Sequence, residues 1–301
     1  MSKPLSRLLR REQLAFLSRD KRAWGGHLDR VRAFLGEGLQ AADPVRPVLI
    51  LGAGTGLEVP WALAPANTTG WDADPWSRAW TALRHRRLAP WVFEDLTGGL
   101  SDLDATARRC VVEPWSRRAR GGDAAARRLT GLLPSLHPEP EALRRWIAAH
   151  RPGTILAANV MGQFGVVAER LVEAAFGGPP WEPDPERTDP LAAALEVWTA
   201  RAVTAFLGAL RDSEADLWLV HDRAVVFEGE ELELGPWEDA WARQLRPGGQ
   251  PIEATDALAG VEVPPAVVGP GFAISRRERW LWPVAPAQRH LVEALACRRG
   301  G

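Results

Sequence analysis

The chain reads as an α/β protein: an open, doubly wound sheet of about seven strands, mostly parallel with an antiparallel last strand, preceded by helices. Three observations predict this. Short apolar runs of strand length recur at 48–51, 68–72, 91–94, 109–112 and 154–159. Helix-like stretches separate most of them, the alternation that a parallel sheet with crossover helices requires. The first run opens into three alternating glycines, Gly52, Gly54 and Gly56, and the second ends in an acid, Asp72.

Taken in order, residues 4–40 read as helical, with Leu28, Val31, Phe34, Leu35 and Leu39 at helical spacing. Ala41-Ala42-Asp43-Pro44 closes that segment before the first strand. Between Ser2 and Trp24, seven basic residues (Lys3, Arg7, Arg10, Arg11, Arg19, Lys21, Arg22) face only Glu12 and Asp20, a local excess of five positive charges. Such a stretch is either a solvated helix face or a track for phosphates. Helices are expected at 57–64, 75–86 and 139–149, between the strands named above. A helix-like stretch follows Asn159 to Phe176, and four prolines within 179–185 then break regular structure. Leu191, Leu195, Trp198, Ala202 and Phe206 mark a core helix over 191–210. Strand 216–222 comes next, and 272–274 with 280–283 supply the antiparallel last strand and its extension. Residues 1–44 therefore form a helical extension. Residues 45–301 form one domain, with insertions near 115–138 and 177–190.

Composition sets the bounds. At 301 residues, 46% hydrophobic and 25% charged, the chain can bury a sizeable core. A net charge of −1 argues against a wholesale nucleic-acid coat. Two cysteines, Cys110 and Cys297, support neither a disulfide framework nor a metal site. The longest apolar stretches are punctuated by charged and amide side chains, and no signal peptide opens the sequence, so a cytoplasmic protein without membrane spans is expected.

The chemistry lies at the glycines. They let backbone approach a ligand, and a carboxylate at the tip of the next strand can hold two ribose hydroxyls, so the unit is a nucleoside-binding half-fold. A dinucleotide fingerprint needs Gly or Ala at position 57, where Leu57 stands. The third glycine comes one place early, giving G-x-G-x-G. The 20-residue spacing from Gly52 to Asp72 suits either cofactor, and no Gly-Lys-Ser/Thr follows to make a Walker loop.

The G-x-G-x-G pattern resembles motif I of the class I S-adenosylmethionine (SAM) dependent methyltransferases, a Rossmann-like superfamily. Gly-Trp-Asp-Ala-Asp-Pro at 70–75 looks like its second motif. Trp-Val-Phe-Glu-Asp-Leu at 91–96 looks like strand 3 with its trailing acid. The segment 109–115 falls where strand 4 and motif IV belong, and the Pro-Gly turn at 152–153 precedes a strand as in that family. The resemblance covers about residues 45–160. It implies that Gly52, Ala53, Gly54 and Gly56 cradle SAM, that Asp72 binds the ribose, and that Asp95 meets the adenine amino group. The family's usual acid two places before the first glycine is replaced by Ile50, and Glu58 is the nearest substitute.

Strands 1 and 4 are expected to be neighbours at the point where strand order reverses. That puts Glu113, at the head of Glu113-Pro114-Trp115, closest to the transferred methyl, with Asn159 beside it. Glu113 is the candidate base for a hydroxyl or thiol acceptor and Asn159 a hydrogen-bonding partner for it. His221 and Asp222 rank behind, one strand farther away. No metal ligand set is expected. The leading reading is SAM-dependent methyl transfer to a small molecule or protein side chain. A second makes the acceptor RNA, recruited by the basic N-terminus and the arginines of Arg117–Arg128. A third is a binding protein of this fold without turnover.

Overall fold

The computed structural model describes residues 8–11, 21–86, 89–112, 121–180, 189–227, 254–263, 269, 272–285 and 288–299. Eight strands make one sheet: β1 (Val48–Leu51), β2 (Thr68–Trp71), β3 (Trp91–Val92), β4 (Thr154–Ala158), β5 (Asp216–Phe227), β6 (Ala254–Asp256), β7 (Phe272–Ala285) and β8 (Gln288–Arg299). Seven lie in the order β3-β2-β1-β4-β5-β8-β7, and short β6 pairs with β5 off that row. From β3 to β5 every pairing is parallel; β8 and β7 close the sheet as an antiparallel hairpin. The expected architecture therefore holds. Its order turns at β1, which has β2 on one side and β4 on the other.

Burial explains why these segments are strands. All four residues of β1 and all five of β4 are buried, as central parallel strands covered on both faces must be. Helix α1 (Lys21–Gln40) covers one face. Its Trp24, Leu28, Val31, Phe34, Leu35 and Leu39 join Val48, Ile50, Leu156, Trp218 and Val220 in one apolar cluster. After it come α2 (Trp76–His85), α3 (Leu100–Val112), α4 (Gly121–Leu132), α5 (Glu141–His150), α6 (Gly162–Phe176) and α7 (Pro190–Arg211). Helices α3 to α7 contribute to the cluster on the opposite face, around Leu49, Leu51, Ile155, Leu217 and Leu219. Helix α7 is long and apolar enough to cross a membrane, but it lies in this core, with Leu191, Leu195, Trp198, Ala202 and Phe206 buried. Its start is set by Asp189, which accepts from the amides of Leu191 and Ala192 while Pro190 occupies the first turn.

Four expectations need correction. Residues 109–112 are the last turn of α3, not a strand: Leu100, Leu103, Ala107 and Cys110 form a buried stripe at helical spacing. Consequently the strand beside β1 is β4, and the segment leaving its tip begins at Asn159. Residues 57–64 hold only a 3-10 turn, Trp61–Leu63, because Pro60 and Pro65 leave no room for a full helix. The two short last strands are one long strand, β7, and β8 was not anticipated at all. Part of the insertion expected near 115–138 is helical, as α4. Glu113, Arg117–Arg120 and most of the proline-rich loop lie outside the described residues.

Candidate functional site

The tips of β1, β2 and β4 meet where the strand order turns, the place where open α/β sheets bind ligands. The first tip carries the glycines. Gly52, Gly54 and Gly56 have φ of +64°, +49° and +71°, all in the left-handed region that suits glycine. What lies beside each one separates their roles. A Cβ on Gly52 would sit 2.6 Å from Val160 Cβ, and one on Gly56 would sit 3.0 Å from Thr81 Oγ1. A Cβ on Gly54 would meet nothing nearer than the Gly52 carbonyl at 3.8 Å. Gly52 and Gly56 are glycine because protein fills the space; Gly54 borders open space. Ala53 between them is buried in the α1-side cluster.

The second tip supplies the acid. Asp72 Oδ2 accepts from the Gly54 amide at 2.8 Å and Oδ1 accepts from the Asp74 amide at 2.8 Å, with a further bond from the Ser77 side chain. The β2 carboxylate is thus tied directly to the one glycine of this loop that borders open space. Burial lifts the Asp72 carboxyl to about 6 against its ordinary 3.8, although these three hydrogen bonds pull the other way. Asp74 and Asp95 are also raised, in each case first by burial. Acids perturbed together at adjoining strand tips make these tips a functional-site candidate.

Asp95 has a second occupation. Its carboxylate accepts from Thr97 N and Oγ1, each at 2.9 Å, and from Leu100 N at 2.8 Å, which fastens the loop after β3 to the start of α3. With the Gly99 amide also bonded to it, these donors match the about four lone-pair directions of a carboxylate, so a ligand at Asp95 would have to share or displace one of them.

The glycine loop is pinned from outside. Three successive carbonyls each accept from a side chain: Thr55 from Arg84, Gly56 from His85 Nε2 at 2.8 Å, and Leu57 from Arg32 Nε at 2.7 Å. Burial first, then the neighbouring Arg84 and Arg32 charges, holds His85 below its ordinary pKa against the opposing pull of the Gly56 hydrogen bond. Glu58, just beyond, takes His27 Nε2 at 3.2 Å, while Trp280 Nε1 donates to His27 Nδ1 at 3.1 Å. An indole nitrogen only donates, so the His27 ring proton lies on Nε2, facing Glu58. His27 also stacks on Trp282, ring centroids 3.9 Å apart. Helix α1 is thereby stapled to both the glycine loop and β7. Ile50 is fully buried in the apolar layer under α1, so no carboxylate is brought to that place.

The β4 tip is Asn159, at φ +49° and buried. Its amide donates to Val220 O at 2.7 Å and its Oδ1 accepts from Asp222 N at 3.0 Å, so it clamps the tips of β4 and β5. Its Nδ2 makes no hydrogen bond with a described residue. Asp222 is therefore adjacent to Asn159, closer than its order in the sequence indicates. Asp222 Oδ2 in turn pairs with His290 Nδ1 at 2.9 Å. Sequence reasoning missed His290 because β8 was not read as a strand. The premise that strand 4 runs into Glu113 does not hold, and Glu113 itself is outside the described residues. Neither cysteine is poised for chemistry: both are buried, and burial pushes Cys297 up to about 11.

Two hollows on the described surface lie away from these tips. One of ≈ 670 Å³ runs along α5 and α7 past Arg144, Glu196 and Arg201; another of ≈ 570 Å³ sits at the amino ends of the strands near Arg46, Asp216 and Arg299. Neither combines bare main chain with perturbed acids, and the strand tips remain the candidate site.

The class these features define is an open α/β protein whose glycine loop and strand-end acid meet where the strand order turns. No family model matches the chain, and no curated protein matches it either. Among solved structures, a SAM-dependent methyltransferase from Anabaena variabilis ATCC 29413 is similar at a TM-score of 0.40 and 9% identity, over 93% of each chain. A likeness of that degree concerns the course of the backbone and says nothing about individual residues.

Proposed function

We propose that this chain is a SAM-dependent methyltransferase. The observation that carries the reading is the pairing of Gly54 with Asp72: a left-handed glycine bordering open space, its amide bonded to the carboxyl that closes the neighbouring strand. Bare backbone at Gly54 leaves room for a nucleoside-linked donor. Asp72 already accepts three hydrogen bonds, which leaves about one lone-pair direction for a ribose hydroxyl. Gly52, Ala53 and Gly56 shape the loop, Asp95 supplies a further acceptor, and Ile50 leaves the amino acid end of the donor to other groups, Glu58 the nearest of them.

SAM supplies an activated methyl on a sulfonium, open to in-line attack by a lone pair. The chain's own residues then have three tasks: to hold the donor, to align the acceptor and to take up a proton where the acceptor has one to lose. Asn159 is suited to alignment through its Nδ2 donors, since Oδ1 is committed to Asp222 N.

The N-terminal extension acts as a lid. Leu8 and Leu9 pack against the core cluster, and the Arg10 guanidinium lies 4.8 Å over the Trp76 ring, where its charge also reaches Asp74. The acceptor in this reading is a small molecule or a protein side chain, methylated in the cytoplasm. RNA is the alternative acceptor, and the exposed Arg127 and Arg128 on α4 favour it. RNA affinity that falls steeply with added salt supports that alternative, and no binding at low salt removes it. The methyltransferase reading is tested by parallel calorimetric titrations with SAM, S-adenosylhomocysteine and NAD.

A further inference from the structure

The pair formed by Asp222 and His290 belongs to neither the glycine loop nor the donor-binding acids, and three observations give it a role. Asp222 is only 2% exposed, and its Oδ1, although buried, has no hydrogen-bond partner among the described residues. Leaving a buried acceptor without a donor is costly, so such a group calls for an explanation. Second, the His290 tautomer is set. Gln288 Nε2, which only donates, lies 2.9 Å from His290 Nε2, so that nitrogen carries the lone pair and Nδ1–H points to Asp222. Third, the pair is joined to the candidate site by contacts of known length. Asp222 N donates to Asn159 Oδ1 at 3.0 Å, and Val160, the next residue, is what a Cβ on Gly52 would strike. Two strand spacings, about 10 Å, separate the β1 tip from the β5 tip.

We infer that His290 is the proton acceptor for a hydroxyl substrate, oriented by Asp222, and that the substrate hydroxyl donates to His290 Nε2 in the place now taken by the Gln288 amide. The inference rests on the methyl-transfer reading and specifies its substrate class. As the oxygen lone pair forms the new O–CH3 bond, the S–CH3 bond breaks and the donor leaves as a neutral thioether. The O–H bond breaks in the same event, and its proton goes to Nε2. The resulting imidazolium keeps Nδ1–H on the Asp222 carboxylate, which balances its charge, and loses its proton to solvent through the part-exposed edge of the ring. An aryl hydroxyl matches best, because its acidity is closest to that of an imidazole and proton transfer is most effective when the two are matched.

The test uses the full chain saturated with S-adenosylhomocysteine and 4-nitrophenol as probe, at a pH where the free probe is mostly protonated. The phenolate band should rise saturably on binding to the wild type, should vanish in His290→Gln, and should fall at least tenfold in Asp222→Asn. Gln288→Ala, which removes the competing donor, should bind the probe several-fold more tightly. With SAM in place of the product, wild type should form 4-nitroanisole, His290→Ala should lose at least a hundredfold in rate, and added imidazole should restore part of it. A wild-type protein that binds S-adenosylhomocysteine but shows no phenolate band overturns the inference, as does an unchanged band in His290→Gln. If S-adenosylhomocysteine itself does not bind, the methyl-transfer reading fails first and this inference falls with it.

Discussion

At the scale of single residues, Asp72 is where stability and function pull apart. Its carboxyl titrates near 6 in the folded chain against 3.8 ordinarily. Between those values the native state holds a proton that the unfolded chain releases. The stabilising contribution is therefore complete below 3.8 and is lost as pH rises through about 6, by about 3 kcal/mol at most. Chemical denaturation across that range should show stability falling with pH in wild type and a flatter profile in Asp72→Asn. SAM binding should run the opposite way, because ribose hydroxyls donate best to the ionised form. Affinity measured by calorimetry should drop about tenfold per pH unit below 6. Asp72→Asn should remove that dependence while weakening binding at neutral pH. Gly54 offers a second test. Gly54→Val should abolish SAM binding, since it fills the space the donor needs and strains a φ of +49°. Gly52→Ala should instead lower the melting temperature, through its clash with Val160.

At the scale of elements, the staples between α1, the glycine loop and the β7–β8 hairpin decide how rigid the site is. His27→Ala removes two hydrogen bonds and the stacking on Trp282. It should cost about 2 kcal/mol in denaturation and weaken SAM several-fold, although His27 is assigned no contact with the donor. The hairpin has its own lock. Glu293 is buried on β8, with Arg277 at 2.6 Å, Arg279 at 2.8 Å and His221 at 3.5 Å. Burial alone would raise its pKa, but hydrogen bonds and charge from His221, Arg279 and Arg277 outweigh that and hold it at about 2. Its contribution is present above the ordinary 4.5 and is lost as pH falls toward 2. Discounted for the half-exposed arginines, Glu293→Gln should cost about 2 kcal/mol at neutral pH, read by denaturation, and little near pH 2. The elements also show what local pattern conveys. The helix over 191–210 and strand 48–51 were legible because spacing and apolar content agree there. Residues 109–112 misled because Cys-Val-Val suits a strand when read alone, whereas the stripe from Leu100 to Cys110 is helical. Strand β8 escaped because Ala294, Leu295 and Ala296 are helix formers, made a strand only by pairing with β5 and β7.

At the scale of the whole molecule, the sheet order brings chemistry together from distant parts of the chain. The glycines and Asp72 could be read directly because two consecutive strands, β1 and β2, and the short segment after each contain them. The pair of Asp222 and His290 could not, since 68 positions separate them and only the β5–β8 pairing makes them neighbours. Asn159 was expected near the donor on a strand counted fifth; its strand is β4, the neighbour of β1 where the order turns. The central claim is that SAM lies across the tip of β1 and β2, and one calorimetric comparison addresses it. Wild type and Gly54→Val are each titrated with SAM and with NAD. The account predicts saturable binding of SAM to the wild type, none to the variant, and no binding of NAD to either. Equal binding of SAM to both proteins, or binding of NAD in its place, would contradict it.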